Sequence, residues 1–235
     1  LHEVEMAVGL YREVLDSDPE AINARIALET QIESHPDDRM LVVDVLEPLY
    51  RDAENWASLV QMLEIRVSAS EDAAAQVGLL HEIASLRETY LGDSPDAFDA
   101  LARALVVDPA HGRTLEELYR ISEAVGMWSD LVGVFSGQAE VASEAEMAAG
   151  FHIRIAAIHE EQLGDVEAAT SHYIRALESN PEHRGAIDNL ERIYESSQDW
   201  NALVDVLLRK EPLVSDDERR ELLYRAATIR EDMIE

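Results

Sequence analysis

The chain has 235 residues, 47% of them apolar, and among them only 10 glycines, 7 prolines and no cysteine. Acids outnumber bases 49 to 19, a formal net charge of −30, and such a field repels nucleic acid and anionic membrane surfaces, whose recognition needs clustered cations. The lack of cysteine excludes disulfides, thiolate metal sites and cysteine nucleophiles, and no apolar run approaches the roughly 20 residues that a membrane-inserted helix needs.

Alanine, leucine, glutamate and arginine dominate, and all four favour helix. In chain order the predicted helices cover 2–16, 20–33, 38–52 and 55–69, then 72–91, 95–107, 110–124 and 127–142. They continue over 144–163, 166–179, 182–197 and 199–211 and close with 216–235, about 13 in all. The breaks are helix punctuation: DSDPEA at 16–21, SHPDD at 34–38, Gly92-Asp93, Gly164-Asp165, Asp108-Pro109 and Asn180-Pro181. Proline there stops one helix and opens the next, where its missing N–H is not needed. Asp216 and Asp217 are expected to start the last helix by accepting its orphan N–H groups.

Trp56, Trp128 and Trp200 stand 72 residues apart, and the stretches that follow, WASLVQML, WSDLVGVF and WNALVDVL, match. Each carries apolar residues at i, i+3, i+4 and i+7, one face of a helix, which assigns the indoles to the core. RALVVDPAH at 103–111 returns as RALESNPEH at 175–183, and LGD at 91–93 returns at 163–165. LEPLY at 46–50 returns two steps on as LERIY at 190–194, while LEELY at 115–119 stands three residues out of step. The first unit keeps the period only with a one-residue slip. The pattern predicts one continuous array with units of about 1–70, 71–142 and 143–214 and the start of a fourth at 215–235, a segment of a longer array.

Half of each unit carries a small residue, a large one, a second small residue and a proline: Ala169, Tyr173, Ala176 and Pro181, and one unit earlier Ala97, Leu101, Ala104 and Pro109. With Gly92 and Gly164 at the turn between helices and Ala157 in the preceding helix, this pattern resembles the tetratricopeptide repeat family. The alanines let antiparallel helices approach closely while the large residue fills the gap between pairs. The other half keeps the pair length but uses the tryptophan stripe, a divergent pair. The resemblance implies an all-α fold, a right-handed α-solenoid of antiparallel helix pairs wound into a superhelix.

Motifs for catalysis are missing: there is no phosphate-binding glycine loop, G-x-S-x-G elbow or H-E-x-x-H. His111 and His183 are repeat equivalents, too far apart for one metal and expected as joint residues. His152 and His159 lie two helical turns apart, about 10 Å, which also argues against a shared ion. No cofactor is expected. Acidic pairs such as Glu116-Glu117 and Glu160-Glu161 are abundant enough to arise as solvated faces or first-turn residues. An α/α-toroid glycosidase, which also combines helix hairpins with two carboxylates, is the enzyme alternative; the sparse aromatics, 6% of the chain, argue against it.

The resemblance implies a non-catalytic interaction module, a scaffold or adaptor that binds a peptide or helix of a protein partner along the concave face. Carried onto this sequence, the family's groove positions are Leu79, Glu82, Leu86 and Tyr90, then Arg113, Glu116, Arg120 and Glu123. The next pairs give Phe151, Arg154, Ile158 and Glu161, then Asp188 and Arg192. Leu86 and Ile158 stand where carboxylate-clamping members of the family place Asn, which argues against that mode. The acidic balance favours a basic partner, and the expected compartment is the cytoplasm. The other reading is a structural spacer that sets distances inside a larger assembly.

Overall fold

In a computed structural model, which describes residues 2–234, helix runs through nearly all of the chain. The helices are α1 (His2–Ser17), α2 (Ile22–Ser34), α3 (Arg39–Asp52), α4 (Trp56–Ala69), α5 (Ala73–Leu86), α6 (Ser94–Val107) and α7 (Gly112–Val125). They continue as α8 (Trp128–Val141), α9 (Ala145–Ile158), α10 (Val166–Ser179), α11 (Arg184–Ser197), α12 (Trp200–Lys210) and α13 (Asp216–Asp232). The described residues hold no strand, and the all-helical class and helix number are those the sequence predicts. The chain divides into two compact units, Leu1–Gly126 and Met127–Glu235. Within each unit every helix packs on the next, α1 through α7 in the first and α8 through α13 in the second.

Three kinds of joint recur at the 72-residue step, and each has a physical cause in its residues. The first ends α5 and α9. Both loosen into a π turn, Arg87–Leu91 and His159–Leu163, and are stopped by glycine in the left-handed region, Gly92 at φ 67° and Gly164 at φ 68°. The next residue, Asp93 or Asp165, then caps α6 or α10 by accepting from Asp96 N or Ala168 N.

The second joint explains the repeated nonapeptide. Oδ1 of Asp108 accepts from Ala110 N and Oδ1 of Asn180 from Glu182 N, both at 3.1 Å, which folds the proline turn. Nδ1 of His111 then accepts from Thr114 N and Nδ1 of His183 from Ala186 N, each at 3.3 Å, capping α7 and α11. The prolines therefore sit in the turn and do not open the following helices, which begin at Gly112 and Arg184, two residues later than predicted.

The third joint precedes each tryptophan. Glu54, Gly126 and Gln198 all adopt positive φ, at 52°, 76° and 59°. After two of them the following residue caps the next helix, Asn55 accepting from Ser58 N and Asp199 from Ala202 N. The tryptophan is then the first residue of α4, α8 or α12. Asn55 N donates to Tyr50 O and Asp199 N to Tyr194 O, the wide bond of a Schellman end.

Two expectations are corrected. Leu46, Leu118 and Leu190 are all buried, so the structural counterpart of Leu190 is Leu118 and the apparent slip of LEELY is a coincidence of letters. The last helix is started by Ser215 in a capping box with Glu218, not by Asp216 and Asp217, which occupy the first turn.

The core lies beneath the joints. Ala97, Ala104, Ala169 and Ala176 are buried to the last atom, so α6 meets α5 and α10 meets α9 at close approach, as small residues allow. Leu59, Leu131 and Leu203 are equally buried, each contributing about 1.5–3 kcal/mol by leaving water. The tryptophans depart from prediction: all three are half-buried. They are the first residues of their helices, at the margin of the core. Trp56 stacks on Tyr90, ring centroids 4.3 Å apart.

Candidate partner-binding site

Val77, Leu80, Ile83 and Ala84 turn one side of α5 into the core. The helical period then leaves Gly78 and Ser85 exposed on the other side, with His81 and Glu88 half-buried along its edge. From α7 the same logic buries Leu118 and Ile121 and directs Arg113, Glu117 and Arg120 toward α5. Between these two edges a cavity of about 190 Å³ opens, with Ala84, Leu101 and Ile121 as its apolar lining.

Ion pairs fix the polar wall. Arg120 donates to both carboxylate oxygens of Glu88, at 2.8 and 2.5 Å, and to Glu117 at 2.8 Å. The bidentate bond holds Glu88 below the usual carboxylate range, against a smaller opposing effect of burial, and raises the Arg120 guanidinium. His81 Nε2 lies 2.8 Å from Thr114 Oγ1, which lies 2.7 Å from His111 Nδ1. Because His111 Nδ1 already accepts from Thr114 N, it is the unprotonated nitrogen; the hydroxyl donates to it and His81 Nε2–H donates to the hydroxyl. Burial, with Arg113 and His111 adding to it, lowers the His81 pKa. Arg113 is exposed.

One step of 72 later, the second unit keeps the ion pair but changes much of the wall, with Ile153, Ala157, Gly185 and Asn189 in place of His81, Ser85, Arg113 and Glu117. Arg192 donates to Glu160 at 2.7 Å, repeating Arg120 and Glu88. Where the first unit has Leu101, the second has Tyr173, 2% exposed and close enough to Glu160 to feel its charge. Burial, then the charge of Glu160, pushes the Tyr173 phenol up to about 12.

The residues expected in a groove fall into three groups. Leu86, Phe151 and Ile158 belong to the core, at 6%, 4% and 2% exposure, and are corrected from the binding face. Their chain neighbours Ser85, Gly150 and Ala157 hold the outward positions instead. A second group is committed to other side chains: Glu82 accepts from Arg51 at 2.7 Å, Asp188 pairs with Lys210 at 2.6 Å, and Tyr90 lies on Trp56. Arg120 and Arg192 also pair, with Glu88 and Glu160, but they do so on the cavity wall and at its counterpart. The third group is Leu79 and Arg154, half-buried, with Arg113, Glu116, Glu123 and Glu161 exposed; of these Arg113 joins Arg120 at the cavity.

His81, Ser85, Glu88 and Glu117 lie outside the set expected from the sequence; His81 and Ser85 stand one residue before the expected Glu82 and Leu86 on α5. The signal was present: Leu86 and Ile158 are apolar at equivalent positions, which is how core positions read. His172 was missed too. Its Nδ1 lies 3.2 Å from His152 Nδ1, and its ring stacks on His159 with centroids 5.7 Å apart. Burial first, then His152, Arg175 and His159, pushes the His172 pKa down to about 4. Among the described residues no three His, Asp or Glu side chains are gathered where one ion could be held. Nor is any described helix long and apolar enough to cross a membrane.

The profile of the tetratricopeptide repeat family matches residues 186–221. That segment holds α11 and α12, the tryptophan-bearing half that departs from the alanine and proline pattern. No curated protein matches the chain. Among solved structures, the TPR2AB-domain:pHSP90 complex of yeast Sti1 aligns over 97% of this chain and 100% of that chain, at 13% identity and a TM-score of 0.32.

Proposed function

We infer that this chain, a protein of tetratricopeptide-like helical repeats, is a non-catalytic interaction module that holds a segment of a protein partner against the outward face of α5 and α7, with α9 and α11 offering the equivalent face. The observation that carries this reading is the open cavity beside Ser85 and Arg113, which the chain itself leaves unfilled. Gly78 supports it. A glycine inside a helix costs about 0.5–1 kcal/mol relative to alanine, yet a Cβ at Gly78 would meet nothing within 4 Å. Its own fold gives no packing reason for that glycine, whereas a partner backbone lying close would. Gly150, its repeat equivalent, keeps the same choice.

The net charge of −30 points to a basic segment, steered by long-range attraction. Affinity for such a segment is then expected to fall as salt rises from about 50 to about 500 mM, because the Debye length shrinks from over 10 Å to a few ångströms. Salt-independent affinity would remove electrostatics from the account.

The test is selection of binders from a random peptide display library, followed by calorimetry on the wild type and on Ser85→Trp and Arg113→Glu. Both substitutions alter exposed side chains, so the melting temperature should hold; Ser85→Trp, which obstructs the cavity, should lower affinity about tenfold or more, roughly 1.4 kcal/mol, whereas Arg113→Glu should raise the affinity of a basic segment. Peptides that bind both variants as well as the wild type would place recognition elsewhere. A second reading, the spacer, draws on the ion pairs Arg51–Glu82, Arg120–Glu88 and Arg192–Glu160, which cross-link helices along these faces. It predicts that selection yields no saturable binder.

A further inference from the structure

We propose that the cavity between α5 and α7 receives the phenol side chain of a tyrosine in the bound segment; the proposal rests on the binding function inferred above and names its chemistry. The second unit supplies the template. Stepping by 72 residues, Ala84, Glu88, Arg120 and Ile121 become Ala156, Glu160, Arg192 and Ile193, so apolar lining and ion pair are kept. The rest of the lining differs: His81, Ser85, Arg113 and Glu117 become Ile153, Ala157, Gly185 and Asn189, and Leu101 becomes Tyr173. In the second unit Tyr173 is buried and feels the charge of Glu160; in the first, Leu101 has no polar end to offer Glu88, and about 190 Å³ is left open.

That volume is several times the roughly 30 Å³ of a water in the liquid, enough for a six-membered ring. Charge selects among rings. Glu88 and Glu117 balance Arg113 and Arg120 around the opening, so a neutral guest is not opposed, while a free carboxylate or phosphate would be drawn to the arginines only at the expense of facing both glutamates. Glu88 is held ionised by Arg120 and can accept a further bond; a phenol supplies that donor and phenylalanine does not. Ser85 and Arg113 are exposed, so the site is reached from solvent.

The probe is p-cresol, the tyrosine side chain as a free molecule, titrated into the isotope-labelled chain and followed by amide shifts. Saturable shifts are expected at Ser85, Glu88 and Leu101, and Leu101→Tyr, which fills the cavity as Tyr173 fills its counterpart, should weaken them about tenfold or more without lowering the melting temperature. The reciprocal Tyr173→Leu should open a second site, with cresol-dependent shifts at Glu160 and Arg192 and a cresol-dependent rise in its melting temperature. No saturable shift in the wild type, unchanged binding in Leu101→Tyr, or no new site in Tyr173→Leu would each overturn the proposal. Equal binding of toluene would overturn the hydroxyl's role, and tighter binding of 4-methylphenyl phosphate would replace tyrosine by its phosphorylated form. Display-selected peptides that lose affinity in Ser85→Trp while cresol fails to bind would sink the phenol and leave the binding function standing; peptides indifferent to Ser85→Trp would sink the binding function itself.

Discussion

Replacing Glu54 or Gln198 by glycine should stabilise this protein, although each substitution removes a side chain from a joint between helices. Both residues hold positive φ, 52° and 59°, at the position where the middle repeat has Gly126 at 76°. A side chain in the left-handed region costs roughly 1–2 kcal/mol through the clash of Cβ with the following carbonyl. Glycine removes that cost and adds about 0.4–1 kcal/mol of unfolded-state entropy. The difference is a gain of about 0.5–1 kcal/mol per site, which for a chain of this size raises the melting temperature by about 1–4 °C. The mirror experiment is Gly126→Ala. A Cβ there would touch nothing within 4 Å, so its whole effect is the backbone conformation, a loss of about 1 kcal/mol. Urea unfolding is the assay: the midpoint moves while the slope, which follows exposed surface, stays constant. Glu54 lies in the first compact unit and Gln198 in the second, so the gains should add, as they do for independent sites. Destabilisation by either glycine, or a neutral Gly126→Ala, would refute the reasoning.

Other expectations follow from burial, titration and capping. Phe135→Ala should cost about 3–5 kcal/mol and Trp128→Ala roughly half as much, because Phe135 is fully buried and Trp128 only half; chemical denaturation of the two variants decides, and equal losses would contradict the burial pattern. His172 is held at about 4 against an ordinary 6.5, so its folded form resists protonation. Stability tied to it is intact above the unfolded value and is lost as pH falls from about 6.5 toward about 4. His152 is lowered in the same direction, and Arg175, Glu178 and His159 complete the charged surroundings. His172→Phe should flatten the melting temperature over that range relative to the wild type, and an unchanged profile would contradict the burial effect. His183→Ala should cost about 1 kcal/mol by uncapping α11, since the ring accepts from Ala186 N; a neutral result would assign that cap to water.

What could be read from the sequence was periodic, and what could not was rotational. Spacing of tryptophans, of Gly-Asp turns and of the proline joints located every helix, because those residues have local conformational causes. The direction in which a helical residue points depends on a register finer than one residue, and there the family's groove positions, set one residue too far along α5, landed on Leu86 instead of Ser85. The indoles misled for a related reason: Trp56, Trp128 and Trp200 continue an apolar stripe, yet each stands at the end of its helix, where the stripe leaves the core. Glu54 and Gln198 gave no signal at all, since glutamate and glutamine are ordinary helix residues; only the alignment with Gly126 could have shown a left-handed joint. The cavity was equally hidden, because Leu101 reads as an ordinary core residue and an apolar letter does not report a void beside it.

The account depends on the same joint recurring once per 72 residues, and backbone chemical shifts test that most directly. Assigned Cα, Cβ and carbonyl shifts should report helix on both sides of residues 54, 126 and 198, with positive φ at all three and again at Gly92 and Gly164. Helical shifts running without interruption through 54 or 198, or extended shifts within the helices flanking them, would contradict the repeat as an architectural unit.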